Sequence, residues 1–155
     1  ENEKKKLNSK MPIVVKIAPD INDSEIEKIS EVLLGNNIEA VIISNTSNVT
    51  REKLKDIQKH QKGGLSGKPI EDKSNLLISK FYKNLKGRTK IIGVGGVDSG
   101  LSAYNKFLSG ANVVQLYTGM VYKGPNIVNI IKNDLADILA KEGVKNFNEI
   151  IGNRK

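Results

Sequence analysis

The chain has no cysteine, no tryptophan and a single histidine, and nowhere a long hydrophobic run. Without cysteine there is no disulfide, no thiolate metal site and no cysteine nucleophile, and the redox compartment leaves no mark on the sequence. The lone His60 lies in the polar stretch QKHQK, residues 58–62. One histidine cannot build a zinc site without carboxylate help, so it reads as a solvated loop residue. Aromatic residues make up only 5% of the chain, which leaves no platform on which nucleic-acid bases would stack. No run approaches the roughly 18 apolar residues needed to span a bilayer. The opening ENEKKK lacks the apolar core of a signal peptide, and no methionine begins the chain, so a fragment or a processed chain is expected.

What is present fits a globular α/β chain: 155 residues, 38% hydrophobic and 27% charged. The net charge of +8 suits an anionic partner. The lysines, however, are scattered along helix-like segments rather than gathered with aromatics, which argues against nucleic acid. The run Lys4, Lys5, Lys6 reads as a solvated end with a secondary capacity for anionic lipid, and residues 1–11 are expected to form a disordered or linker end.

Short apolar runs alternate with longer amphipathic stretches four times, the signature of βα units around a parallel sheet. The first strand is predicted at 12–17 (PIVVKI), stopped by Ala18, Pro19 and Asp20. Asn22 or Asp23 caps a helix whose apolar face is Ile26, Ile29, Val32 and Leu33, ending at 35–37 (GNN). A second strand, 40–44 (AVIIS), leads through a polar loop to a helix from about Glu71 that presents Leu76, Leu77, Phe81 and Leu85 before Gly87. A third strand, 90–94, opens into 95–100 (GGVDSG) and a helix with Ala103, Tyr104, Phe107 and Leu108. A fourth, 112–117 (NVVQLY), precedes a long helix carrying Ile127, Ile130, Ile131, Leu135 and Leu139, and a short helix closes the chain at 146–151. Strands apolar on both faces belong in a covered parallel sheet. Four βα units are half of an eight-unit barrel, which typically takes about 250 residues. An open doubly wound sheet is the competing architecture.

Both architectures bind ligands beyond the C-terminal ends of the strands. There the sequence places Lys16, then Ser44, Asn45 and Thr46, then Gly95 and Gly96, then Tyr117 and Thr118. Lys16 interrupts an apolar strand, and a charge in a barrel interior is costly unless it meets an anion; the plain alternative is a lysine that points outward. The GVGG of 93–96, followed by Asp98 or Ser99 at a helix start, offers backbone amides to a phosphate, and 63–67 (GGLSG) strengthens that reading, although glycines also make ordinary turns. Asn45 and Thr46 suit a small planar polar substrate, but taken alone they are better read as turn chemistry where a strand enters a loop.

In this order, five blocks closely resemble class 2 dihydroorotate dehydrogenases: VKIAPD (15–20), ISNT (43–46), GGLSGKP (63–69), IIGVGGV (91–97) and VQLYT (114–118). The resemblance runs from about Pro12 to Gly152. It implies a (β/α)8 TIM barrel that binds FMN, of which residues 12–155 supply the C-terminal half, strands five to eight. By resemblance, Lys16 and Ser44 contact the flavin ring, Ser66, Gly67, Gly95, Gly96, Tyr117 and Thr118 hold the cofactor and its phosphate, and Asn45 with Thr46 binds dihydroorotate or orotate. Ser47 stands where threonine is common in the family. The family's base is a serine in the first half of the barrel, which would precede Glu1, as would the quinone tunnel and the membrane-associating helices. No catalytic residue is therefore expected here, and the chain by itself is expected not to turn over. The implied reaction is oxidation of dihydroorotate with a quinone as acceptor, in pyrimidine biosynthesis, at the mitochondrial inner membrane or the bacterial cytoplasmic membrane. The alternatives are another FMN or phosphate-binding barrel, such as a dihydrouridine synthase or a dihydropyrimidine dehydrogenase domain, and a basic module that binds nucleic acid.

Overall fold

The computed structural model describes residues 2–49, 51–52 and 54–153; Glu1 and the residues after Asn153 lie outside them. Four short strands form one parallel sheet in the sequential order β1-β2-β3-β4: β1 Val14–Ile17, β2 Ala40–Ile43, β3 Lys90–Val94 and β4 Val113–Gln115. The helices between them are α2 Asp23–Gly35, α3 Glu71–Leu85 and α4 Gly100–Leu108, with α5 Thr118–Lys123 and α6 Ile127–Lys141 after β4. Ahead of β1, α1 (Asn2–Lys6) occupies part of the stretch expected to be a disordered or linker end, and Lys4 pairs there with Glu39 at 2.6 Å.

Local chemistry sets the helix starts. Asn22 caps α2 by accepting from the Glu25 amide, and the Glu25 carboxylate accepts from the Asn22 amide in return. Ser99 and Ser102 make the same reciprocal box at α4, which resolves the choice between Asp98 and Ser99 in favour of the serine.

Strand alternation separates two faces. Val41, Ile43 and Ile91 are buried beneath α2 and α3 with Leu33, Ile78, Phe81 and Leu85, and Val15 and Ile17 pack against the same cluster. A second cluster joins α4 and α6 through Ala103, Phe107, Ile127 and Ile131, with Phe107 and Phe147 edge to face at 4.6 Å. On the other face, Val14, Lys16, Val113 and Gln115 are exposed, and Lys16, Ile42, Ile92 and Val113 lie in register across all four strands. Sequential strand order with the helical clusters on one face is a barrel segment, whereas a doubly wound sheet reverses its order and covers both faces.

Three residues assigned to apolar helix faces are exposed instead: Val32, Leu76 and Ile130. Each lies beside the buried stripe, and in α3 the stripe is completed by Ile78. The fourth strand ends two residues earlier than expected, because Tyr117 serves as the cap of α5.

Candidate functional site at the strand C-termini

A pocket of about 670 Å³ opens beyond the C-terminal ends of the strands. Lys16, Ser44, Asn45 and Thr46 line one side, and Ser66, Gly67, Gly95, Gly96, Tyr117 and Thr118 the other. All ten residues singled out in the sequence thus meet in one cavity.

The ends of the strands are stitched together at this point. The Asn45 amide donates to the Ile17 carbonyl at 2.8 Å, and the Ser44 amide donates to Val94 at 3.2 Å. Asn45 Oδ1 accepts from the Thr46 amide at 2.9 Å. A Cβ at Gly64 would fall 1.9 Å from Thr46 Oγ1, so glycine there is what gives the threonine its place. Ser44 is 3% exposed, and its hydroxyl is buried without a hydrogen-bond partner among the described residues. Such a group normally finds one.

The long loop between β2 and α3 is held from below. The Asp20 carboxylate accepts from Ser47 Oγ and from the Asn48 amide, both at 2.7 Å, and pairs with Lys73 of α3. Burial alone would raise the Asp20 carboxyl, but the Lys73, Asn48 and Ser47 hydrogen bonds outweigh it and hold the group below its ordinary value. Ser47, the departure from the threonine common in the family, uses its hydroxyl in this clamp. A bridge between Ser47 and Leu65 returns the loop to the pocket, and Arg51 donates to the carbonyls of Lys59, Gln61 and Gly63. His60, as expected, is exposed.

The opposite wall is glycine-built. Gly67, Gly95 and Gly96 have φ of +77°, +111° and +79°, and a Cβ at Gly96 would lie 2.4 Å from Glu71 Cβ. Thr118 Oγ1 donates to Ser66 Oγ at 2.9 Å, tying the start of α5 to the GGLSG segment. Lys16 is exposed on the open face of the sheet, with no carboxylate within ion-pair distance among the described residues. The expected interior cation therefore lies on the inner face but in contact with solvent.

The rim holds charges that the sequence reading passed over. Lys68 pairs with Glu71 at 2.5 Å, and this contact raises its pKa against the opposing effect of burial. Lys123 donates to the Asp98 carbonyl at 2.9 Å and pairs with its carboxylate at 3.3 Å. Lys68 was visible inside GGLSGKP; Lys123 lay in a helix that the pattern did not reveal. Among the described residues no cluster of side chains could hold a metal ion.

Parallel βα units in sequential order, with a glycine-walled pocket at the strand ends, define part of a (β/α)8 barrel with its binding site on the usual face. A family model described as dihydroorotate dehydrogenase matches residues 2–139, and the chain belongs to that family. It is 45% identical over 125 residues to dihydroorotate dehydrogenase (quinone) of Idiomarina loihiensis, a match covering 81% of this chain and 37% of the relative. To the mitochondrial dihydroorotate dehydrogenase (quinone) of Oryza sativa it is 41% identical over 143 residues, covering 91% and 30%. The crystal structure of a ligand-free dihydroorotate dehydrogenase from Eimeria tenella superposes with a TM-score of 0.87 at 38% identity, covering 90% of this chain and 39% of that one. The resemblance to class 2, quinone-using members is borne out, as is the partial barrel. The match also decides among the barrel families left open by the sequence. The chain spans 30–40% of the length of the curated relatives it matches.

Proposed function

We propose that this chain supplies strands five to eight, the phosphate side, of an FMN-dependent enzyme that oxidises dihydroorotate to orotate with a quinone as acceptor in pyrimidine biosynthesis. The observation that carries this reading is the convergence of the ten residues on one pocket at the strand ends. The lining fits FMN on two counts. The buried Ser44 hydroxyl, which has no partner among the described residues, is free to bond a polar edge of the ring, and Gly67, Gly95 and Gly96 line the pocket without side chains where a phosphate needs close approach.

The FMN that these residues would hold would supply the redox chemistry between dihydroorotate and the quinone. Lys16 provides positive charge where negative charge on the ring would be compensated. The Asn45 amide and the Thr46 hydroxyl bind and orient the planar polar substrate, and the Asp20 clamp keeps the loop beyond them in register. Ser66, Gly67, Gly95, Gly96, Tyr117 and Thr118 hold the phosphate end. These residues bind and orient; the serine base implied by the resemblance belongs to the first half of the barrel. By the family resemblance, membrane association at the mitochondrial inner membrane, or alternatively the bacterial cytoplasmic membrane, is peripheral and belongs to the family's N-terminal region; no helix of the described residues is long and apolar enough to cross a membrane.

The test is anaerobic addition of dihydroorotate to the flavin-loaded full-length protein. Bleaching of the visible flavin bands is the expected result. Bands that persist would move the substrate elsewhere, and a protein that takes up no flavin would overturn the reading.

A further inference from the structure

Beneath the glycine wall lies a charged side chain that the pocket does not touch. Lys106 of α4 is 0% exposed, and its ammonium donates to Asn75 Oδ1 of α3 at 2.7 Å. No carboxylate among the described residues lies within ion-pair distance of it. A buried ammonium with a neutral amide as its partner is costly unless a negative charge is near.

Glu71 and Asp72 of α3 are near enough to favour the charged form without pairing with it, and the surroundings place a further anion site close by. A Cβ at Gly93 would come within 3.2 Å of Lys106 Cδ, so the lysine stem runs against the strand two residues before the turn. Ser74, adjacent to Asn75, donates to the Val94 carbonyl at 2.6 Å, and Cβ atoms at Gly95 and Gly96 would crowd Ser74 and Glu71. Residues 71–75 of α3 therefore form a floor under residues 93–96, and Lys106 is inserted at that floor from α4.

We propose that Lys106 is a positioning residue whose buried charge supports, from behind the Gly95–Gly96 turn, the phosphate that the turn receives. This rests on the FMN reading of the pocket. Burial lowers the Lys106 pKa to about 8, with Glu71 and Asp72 of α3 favouring the charged form and Lys68, in the turn before α3, opposing it. A phosphate dianion raises that pKa on binding, so by linkage the affinity for phosphate falls as pH rises through about 8.

The experiment uses the full-length protein stripped of flavin and titrated with FMN and, separately, with riboflavin, which lacks the phosphate. Titrations at about pH 7 and about pH 9.5 bracket the lysine while the phosphate stays a dianion. The expected result is that Lys106→Met weakens FMN about tenfold at the lower pH, leaves riboflavin unchanged and flattens the pH dependence of FMN affinity. Should that variant fail to fold, Lys106→Gln, which keeps a donor for Asn75, is read in the same way. Equal losses for the two flavins, or a pH profile identical to wild type, would overturn the proposal and leave the FMN site intact. A wild-type protein that binds neither flavin would overturn both.

Discussion

Asp20 accepts from a serine, a backbone amide and a lysine at once, so its replacement reaches three elements. Asp20→Asn should lower stability by about 1–3 kcal/mol near neutral pH, measured by urea unfolding. Because folding depresses this carboxyl, its contribution is present above the ordinary value of 3.8 and is lost as pH falls through the lower folded value. The gap between wild type and variant should therefore close in acid. A gap that persists there would mean that the loop is held by something else. Lys16 makes a different case, since it is exposed and pairs with no carboxylate among the described residues. Lys16→Met in the full-length protein should keep its fold and its flavin yet lose about a hundredfold in kcat, as when one charge-stabilising donor is removed. Unchanged turnover would remove Lys16 from the site. What the sequence disclosed at this scale was the set of polar residues just past the strands. It hid Lys106, because a lysine in an amphipathic helix reads as solvated unless its neighbours are known.

Among elements, the four βα units were legible because short apolar runs and amphipathic stretches alternate so plainly, and two helix starts were marked to within a residue, as Asn22 or Asp23 and as Asp98 or Ser99, of which Asn22 and Ser99 are the caps. The boundaries were less so. Tyr117 continues an apolar run by composition but caps α5, a six-residue helix too short to show a period. The short α1 turn was likewise invisible within a lysine run. The glycine turn after β3 is where an element and the site depend on each other most. Gly96→Ala would need a left-handed backbone at φ +79° and a Cβ 2.4 Å from that of Glu71. It should cost about 2 kcal/mol or more in stability and lower the flavin content of the purified full-length protein. Retention of both would show that α3 can yield without disturbing the turn.

On the scale of the whole molecule, β1 and β4 are the two edges of the sheet, and the inner face between them carries exposed Val14 and Val113. Open edges beside an apolar face pair with other chains. This chain expressed alone should sediment as oligomers or aggregate; a stable, monodisperse monomer would contradict the partial barrel. The relatives that it matches are much longer than this chain. Repeat count and strand composition left a half barrel and an open doubly wound sheet both standing, and the family resemblance chose the barrel, while the sequential order and the open face needed coordinates. The most direct measurement is a crystal structure of the full-length protein with orotate. The expected result is FMN with its phosphate against the Gly67, Gly95 and Gly96 backbone, its ring beside Lys16 and Ser44, and orotate on Asn45 and Thr46. A flavin bound elsewhere, or this pocket filled by a different ligand, would contradict it.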